Sequence, residues 1–305
     1  MKISILGANG FIGKHLTDSL SKVYAVKSIS LRKEDWASTI ADTNVFINLI
    51  GKAHDHKGTA TENDYYYANV NLVKDIYQVF IRSNANLLIH ISSLAALEEF
   101  ASSKHLLETD DCHPQSFYGK SKRQAEEWLL SQPLSPNKKI IIIRPPMVHG
   151  PGDKGNLGLL YKMISKGIPY PLSSFDNFRS FISIDNFSFF VKKIIEKQNS
   201  IPSGIYHIAD DESVSTKQII DIIKKSENKN ITNLNIPKSL IRTLAKVGDV
   251  LRLPLNTKRL SKMTSNLEVS NCKIKTILEI EKLPLTAKEG LQITINAFRQ
   301  EKKSK

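Results

Sequence analysis

"KISILGANGFIGKHLTDSL", residues 2–20, decides the architecture. A short β-rich apolar run, Lys2–Leu6, meets a turn with glycines at Gly7, Gly10 and Gly13. Apolar residues then recur at helical spacing: Phe11 and Ile12, Leu16, Leu20. Strand, glycine turn and helix in immediate succession form the unit that binds a dinucleotide. Gly7 permits the tight turn. Gly10 lets backbone amides approach a pyrophosphate at the helix N-terminus, where the partial positive charge lies. Gly13 allows the helix to pack closely on the strand.

The alternation continues outward from this unit. Strand-like runs fall at 24–31, 44–50 and 86–92, and "KKIIIIRPP" (138–146) reads as a central parallel strand. Helical patterns at 65–83 and 120–132 separate them. The expected fold is therefore α/β, a Rossmann-like doubly wound parallel sheet with its ligand at the carboxyl ends of the strands. Residues 1–150 and part of 177–210 are assigned to this domain. Residues 151–176 and 211–305 are assigned to a smaller C-terminal substrate-binding lobe, where "IYHIADDESVSTKQIIDIIKK" (205–225) reads as strand, capped turn and helix. Between 31 and 44 there is little room for the usual third strand.

Composition excludes several classes. The 305 residues, 41% hydrophobic, suffice for a large core, and no apolar run reaches the length of a membrane span. Two cysteines, Cys112 and Cys272, argue against a disulfide framework and for a reducing cytoplasm. "AHDH", with His54, Asp55 and His56, is weak as a metal motif, and no metal is expected. The net charge of +13 divides into about +4 for 1–180 and about +9 for 181–305. No aromatic-interleaved basic motif accompanies it, so nucleic acid is not an expected partner. The basic stretch 238–262 has the spacing of an amphipathic helix, which fits either an ordinary surface or the face of a membrane.

Two motifs carry chemistry. "SFYGKSK" puts Tyr118 and Lys122 on one helical face. A tyrosine ionises near pH 10, and a nearby ammonium favours its phenolate, so such a pair can exchange a proton with a hydroxyl or carbonyl oxygen. "HISSLAAL" supplies Ser92 and Ser93 at a strand end, where a hydroxyl can hold that oxygen. The tip of the second strand reads Ser30-Leu31-Arg32-Lys33. It lacks the acidic residue that accepts hydrogen bonds from an NAD ribose, and Arg32 suits a 2′-phosphate. NADP(H) is thus the preferred cofactor, with NAD(H) the alternative.

Together these features resemble the extended short-chain dehydrogenase/reductase family, the NAD-dependent epimerase/dehydratase group that modifies nucleotide sugars. The resemblance implies a dinucleotide held by Gly7, Gly10, Phe11, Ile12, Gly13, Arg32 and Pro145. It implies Ser93, Tyr118 and Lys122 as catalytic residues, with Tyr118 and Lys122 also meeting the cofactor. Asn69 would order a water near the lysine. "RPPMVHGPGDKGNLGLLYKMISKG" (144–167) and "NFRSFISIDN" (177–186) resemble further family segments. In them Asn156 would contact the sugar nucleotide and Arg179 its diphosphate, alongside Ser93 as a substrate contact. Met147 and His149 depart from the family's residues, which leaves sugar contacts from that loop in doubt.

The resemblance allows three reactions. A 4,6-dehydratase needs an acid and a base after its catalytic serine or threonine, and Leu94-Ala95-Ala96 supplies neither. Glu98 and Glu99 lie too far along and read as a solvated turn. The expected activity is NADPH-dependent reduction at C4 of a UDP-4-keto-6-deoxy-(N-acetyl)hexosamine in surface polysaccharide biosynthesis. A UDP-sugar 4-epimerase with retained NAD is the alternative, and a non-catalytic NADP-binding sensor the competing class. A homodimer through the helices at 65–83 and 120–132 is a further expectation from the family.

Overall fold

The computed structural model describes residues 1–33, 35–40, 42–53, 59–228, 231–232, 234–251 and 256–303. A six-stranded parallel sheet is built from β1 (Lys2–Leu6), β2 (Ala25–Ile29), β3 (Val45–Asn48), β4 (Leu87–Ile91), β5 (Lys139–Arg144) and β9 (Gly204–His207), in the order β2-β1-β3-β4-β5-β9. The chain leaves β1 toward β2 on one side and resumes at β3 on the other. This reversal of direction is the crevice in which such sheets bind ligands.

Burial explains the order. All residues of β3 and β4 and five of six in β5 are buried, the signature of strands covered on both faces. The outermost strand, β2, is mostly exposed. Its Lys27 reaches over to the carbonyl of Thr39 at 2.7 Å, and a charged lysine on an edge discourages pairing with another chain. Because β3 pairs directly with β1, no further strand lies beyond β2 among the described residues, in line with the short span between 31 and 44. Among the described residues between β2 and β3, Ser38–Ile40 form a 3₁₀ turn.

One face of the sheet packs on α1 (Phe11–Leu20) and α6 (Ile184–Glu196), with Leu16, Leu20, Phe187, Phe190 and Ile194 in the core. The other face receives α3 (Leu72–Arg82) and α4 (Phe117–Leu130) through Val73, Ile76, Phe80, Ala125 and Leu129. Fully burying each such aliphatic side chain contributes roughly 1.5–3 kcal/mol. The 65–83 helix is composite. It opens as α2 (Glu62–Tyr66), capped reciprocally by Thr61 and Asp64, passes through a π turn at Tyr67–Asn71, and continues as α3.

The remaining chain carries a separate core. Here β6 (Met147–His149) pairs with β8 (Phe181–Ser183), and β7 (Phe178–Arg179) with β10 (Val214–Ser215). Leu157 and Tyr161 of α5 (Asn156–Ser165), Ile219 and Ile223 of α7 (Thr216–Glu227), and Leu291 and Ile295 of α11 (Ala287–Lys303) pack together. Helix α8 (Lys238–Leu251) adds Ile241 and Ala245, and α9 (Thr257–Thr264) adds Leu260. In contrast, α10 (Cys272–Leu278) returns to the sheet, where Ile274 and Leu278 join its core beside α6. No helix among the described residues is long and apolar enough to cross a membrane. His54, Asp55 and His56 lie outside the described residues.

Candidate active site

The site is assembled where β1, β3, β4 and β5 end. At the first of these ends, Gly7 adopts φ +90°, a conformation that side-chain-bearing residues rarely take. A Cβ on Gly13 would lie 2.4 Å from the Gly7 carbonyl and 2.6 Å from Ala8 Cα, so the helix–turn contact admits only hydrogen there. Helix α1 begins at Gly10 with no side-chain cap and no acidic residue in its first turn. Its N-terminal amides thus face the turn without a competing anion, which fits a dinucleotide pyrophosphate. Arg32 stands exposed in the turn that follows β2, and the Lys33 amide bonds the Ser30 carbonyl at 3.2 Å.

Ser93 follows β4 directly. Its neighbour Ser92 donates its backbone N–H to the Ile143 carbonyl at 2.8 Å, and Leu94 donates to Pro145 at 2.8 Å. These bonds extend the β4–β5 pairing past the strand end and fix the serine between them. The Ser93 hydroxyl caps the 3₁₀ turn Leu94–Ala96, accepting from the Ala95 amide at 3.1 Å. That turn packs against α4, so the serine and Tyr118, 25 positions apart in the chain, are brought to one place, near enough for the hydroxyl to draw the phenol's pKa down.

Tyr118 sits in the first turn of α4, which Ser116 caps by accepting from the Gly119 amide at 3.0 Å. Lys122 follows one turn later, almost wholly buried, and donates to the Ile91 carbonyl at 2.8 Å. Burial lowers its pKa to about 8, against a smaller opposing pull from Glu126. Here the expectation from spacing needs correction. Burial pushes the Tyr118 phenol up rather than down, the Glu99 carboxylate adds to the rise, and the Ser93 hydrogen bond opposes it. The lysine does not offset this rise; its ammonium is held toward the Ile91 carbonyl.

Asn69 lies in the π turn, fully buried. Its Oδ1 accepts from the Lys52 amide at 2.7 Å, while its Nδ2 donates to the Lys52 carbonyl and to Ser121 Oγ at 3.1 and 2.8 Å. The helix before α3 is thereby tied to α4 one residue from Lys122. A π turn widens the helix by one residue, and such turns concentrate at functional sites. Gly51 completes the packing: a Cβ there would come within 2.8 Å of Asn69 Oδ1 and 3.0 Å of Lys122 Nζ.

Beneath these groups runs a buried network that the sequence reading missed. Arg144 donates Nε to Glu126 Oε1 at 2.8 Å and Nη2 to Glu126 Oε2 at 2.6 Å, both side chains without solvent access. Ser92 Oγ donates to Glu126 Oε1 at 2.5 Å. Two signals were available. Glu126 continues the i, i+4 series of Tyr118 and Lys122, and Arg144 ends a run of four buried isoleucines, where an unpaired charge is untenable.

Glu99 is the other omission. Instead of a solvated turn, it is a buried carboxylate that accepts from the Ser116 amide, the Ser116 hydroxyl and the Gln115 amide. Glu98 caps the same loop, accepting from the Glu99 and Phe100 amides.

The C-terminal residues are dispersed. Arg179 reaches the Ser265 and Phe100 carbonyls at 3.2 and 3.4 Å, which places it beside the loop that carries Glu99. Asn156 is exposed in the first turn of α5. Met147 packs against the core of the C-terminal lobe, and His149 is buried, its Nδ1 2.9 Å from Thr294 Oγ1 of α11. Burial lowers the His149 pKa to about 4. Among the described residues, no cluster of three metal-ligating side chains occurs.

Residues 3–209 match the sequence profile of the NAD dependent epimerase/dehydratase family. The chain belongs to that family. It is 28% identical to a UDP-glucose 4-epimerase of Vibrio cholerae over 98% of this chain and 95% of the relative. It is 24% identical to an N-acetyl-alpha-D-glucosaminyl-diphospho-ditrans,octacis-undecaprenol 4-epimerase of Escherichia coli O157:H7, over 78% and 76%. Among solved structures, UDP-glucuronic acid 4-epimerase from Bacillus cereus in complex with NAD superposes with a TM-score of 0.78 over 99% of both chains at 20% identity. RMD from Pseudomonas aeruginosa complexed with NADPH superposes at 0.74 over 98% and 99%, at 14% identity. Membership in the epimerase/dehydratase family makes the chain an enzyme of the extended short-chain dehydrogenase/reductase type with the Rossmann-like fold read from its sequence.

Proposed function

We propose that the protein is a UDP-sugar 4-epimerase in which Ser93, Tyr118 and Lys122 act at C4 of the sugar. The observation that carries this reading is the packing of the turn capped by Ser93 against the helix that carries Tyr118, with Lys122 one turn along. Leu94, Ala95 and Ala96 follow the serine directly, where a dehydratase carries its acid and base, and the Glu99 carboxylate farther along is taken up by the Ser116 and Gln115 donors. Both curated relatives named above are 4-epimerases, one of them along nearly its whole length.

A bound NAD(P) supplies the acceptor and donor of the C4 hydride. This chain's residues handle the proton and the geometry. Ser93 holds the C4 oxygen, and Tyr118 takes the proton from that oxygen as the bond to carbon becomes a carbonyl. After the sugar turns its other face, Tyr118 returns the proton. Lys122, held on the Ile91 carbonyl one turn along α4, would meet the bound cofactor. Gly7, Gly10, Phe11, Ile12, Gly13 and Pro145 line the dinucleotide path, and Arg179 and Asn156 address the nucleotide-sugar end.

A second reading, the C4 ketoreductase with NADP(H), is favoured by Arg32 and by the missing acid at the tip of β2. One experiment separates the two. The purified protein is denatured and its supernatant examined by absorbance and mass for released dinucleotide, and NADPH and NADH are then titrated into fresh protein. Retained NAD together with interconversion of a 4-epimeric pair of UDP-sugars establishes the epimerase. Protein that is purified empty and oxidises NADPH with a UDP-4-keto-6-deoxy sugar establishes the ketoreductase.

A further inference from the structure

We propose that Glu99 is the positioning residue for Tyr118: its carboxylate anchors the start of α4 to the Ser93 loop and sets a negative charge beside the working phenol. The inference rests on Tyr118 as the proton-transferring group and goes beyond it by naming what holds and tunes that group.

The geometry is specific. Helix α4 has no acidic residue in its own first turn. Glu99 supplies one from outside the helix: its Oε1 accepts from the Ser116 Oγ at 2.8 Å, the Ser116 amide at 2.9 Å and the Gln115 amide at 3.2 Å. Ser116 passes the interaction on, because the same hydroxyl accepts from Gly119 at 3.0 Å. An anion is favoured at a helix N-terminus, and hydrogen bonds to a carboxylate are stronger than neutral ones. Gly119 leaves the room required. A Cβ there would stand 2.4 Å from Glu99 Oε1 and 2.4 Å from the Ala95 carbonyl. The loop that bears Ser93 and the helix that bears Tyr118 are thus fastened at a second point, six residues beyond the serine and two before the tyrosine.

The charge has its own effect. Around Tyr118 stand Ser93 and Glu99 from the loop after β4, with Glu98 behind them. Lys122, Arg123 and Glu126 follow on α4 itself. Of the charged groups, Glu99 is the one that pushes the phenol up. An α-helix N-terminus favours an anion on Tyr118, and the Glu99 carboxylate opposes it.

The test is a tyrosinate absorbance titration, taken as the difference between each protein and its Tyr118→Phe counterpart. It needs neither substrate nor turnover. Glu99→Gln keeps an acceptor for the three donors and removes the charge, and the Tyr118 midpoint is expected to move to lower pH with a small fall in melting temperature. Glu99→Ala should show the same shift and a further fall in kcat of roughly 10- to 100-fold, with cofactor KM within about twofold, as reacting groups lose alignment. Ser116→Ala removes the cap but keeps the charge, and should lower the melting temperature while leaving the midpoint in place. A Glu99→Gln midpoint equal to wild type, or an equal shift in Ser116→Ala, overturns the proposal. Absence of all nucleotide-sugar turnover would sink the proposed function and leave this titration readable.

Discussion

Arg144 and Glu126 form a two-pronged ion pair, 2.8 and 2.6 Å, with no solvent on either side chain. The pair spans from the end of β5 to the middle of α4, and Ser92 is bonded to it. It therefore links the strand end that carries Ser93 to the helix that carries Tyr118 and Lys122. Removing one partner leaves a buried charge alone, which destabilises by about 3–5 kcal/mol. Glu126→Ala is expected to lower the unfolding free energy by that order, read by urea denaturation. A loss below about 1 kcal/mol would show that the pair is dispensable. Replacing both residues by apolar ones of similar volume should recover much of the stability, but not the alignment of Ser93.

Tyr118→Phe keeps the ring and removes the proton donor. Turnover should fall by about 10²- to 10⁴-fold, while dinucleotide affinity and melting temperature stay close to wild type. A variant that retains more than about a tenth of wild-type kcat would remove Tyr118 from the chemistry.

Lys122 trades stability for function. Its folded pKa of about 8 lies below the ordinary lysine value of 10.5. The unfolded chain holds this proton more tightly, so the fold carries the full penalty below pH 8 and sheds it as pH rises toward 10.5. The gap corresponds to roughly 3 kcal/mol. Lys122→Met should thus be the more stable protein at pH 7, with its advantage shrinking by pH 10, and should be inactive. Equal stability at pH 7 would contradict the buried-ammonium description.

Asp210 and His149 face each other at 3.9 Å between Nε2 and Oδ2, too far for a hydrogen bond, and burial disfavours charge on both. Asp210 accepts from the Ser183 amide and Asn186 Nδ2, yet its pKa rises to about 7. The folded carboxyl keeps a proton that the unfolded chain loses, so this group subtracts stability as pH climbs from about 4 to 7. His149, at about 4, does the reverse: between pH 4 and 6.5 the folded form has lost a proton that the unfolded chain still holds, and stability rises there. The two slopes oppose each other in the wild-type protein. Asp210→Asn should uncover the histidine slope, with denaturation midpoints that climb more steeply between pH 4 and 6.5 than those of wild type. Parallel curves would refute the assignment.

Gly13→Ala sets a methyl against the Gly7 carbonyl. Loss of dinucleotide binding is expected, along with a destabilisation of roughly 1–3 kcal/mol from overpacking. Binding within a factor of three of wild type would place the cofactor elsewhere.

The sequence was legible where causes are local. Lys2–Leu6 and the three glycines sit within twelve residues, and the YxxxK spacing alone puts two side chains on one helical face. What stayed hidden depends on chain folding back from afar. Glu99 reads as a solvated turn until α4 brings Ser116 to it, 17 positions later. Likewise His149 needs Thr294, 145 positions away, before its burial makes sense. The Tyr118 shift ran opposite to expectation because spacing says neither how far the phenol is buried nor that Ile91 holds the lysine's ammonium. Nor does a helical pattern at 65–83 announce a π turn, since one extra residue disturbs the periodicity too little to see.

That wide turn makes the chain's length, and not only its composition, a functional variable. Removing any one residue between Tyr67 and Asn71 would restore an ordinary α-helix and rotate everything upstream by about 100° relative to α3. Every side chain would survive such a deletion but one, yet Asn69 would lose its place between Lys52 and Ser121. The number of residues in this helix thus sets where Asn69 lies as much as their identity does.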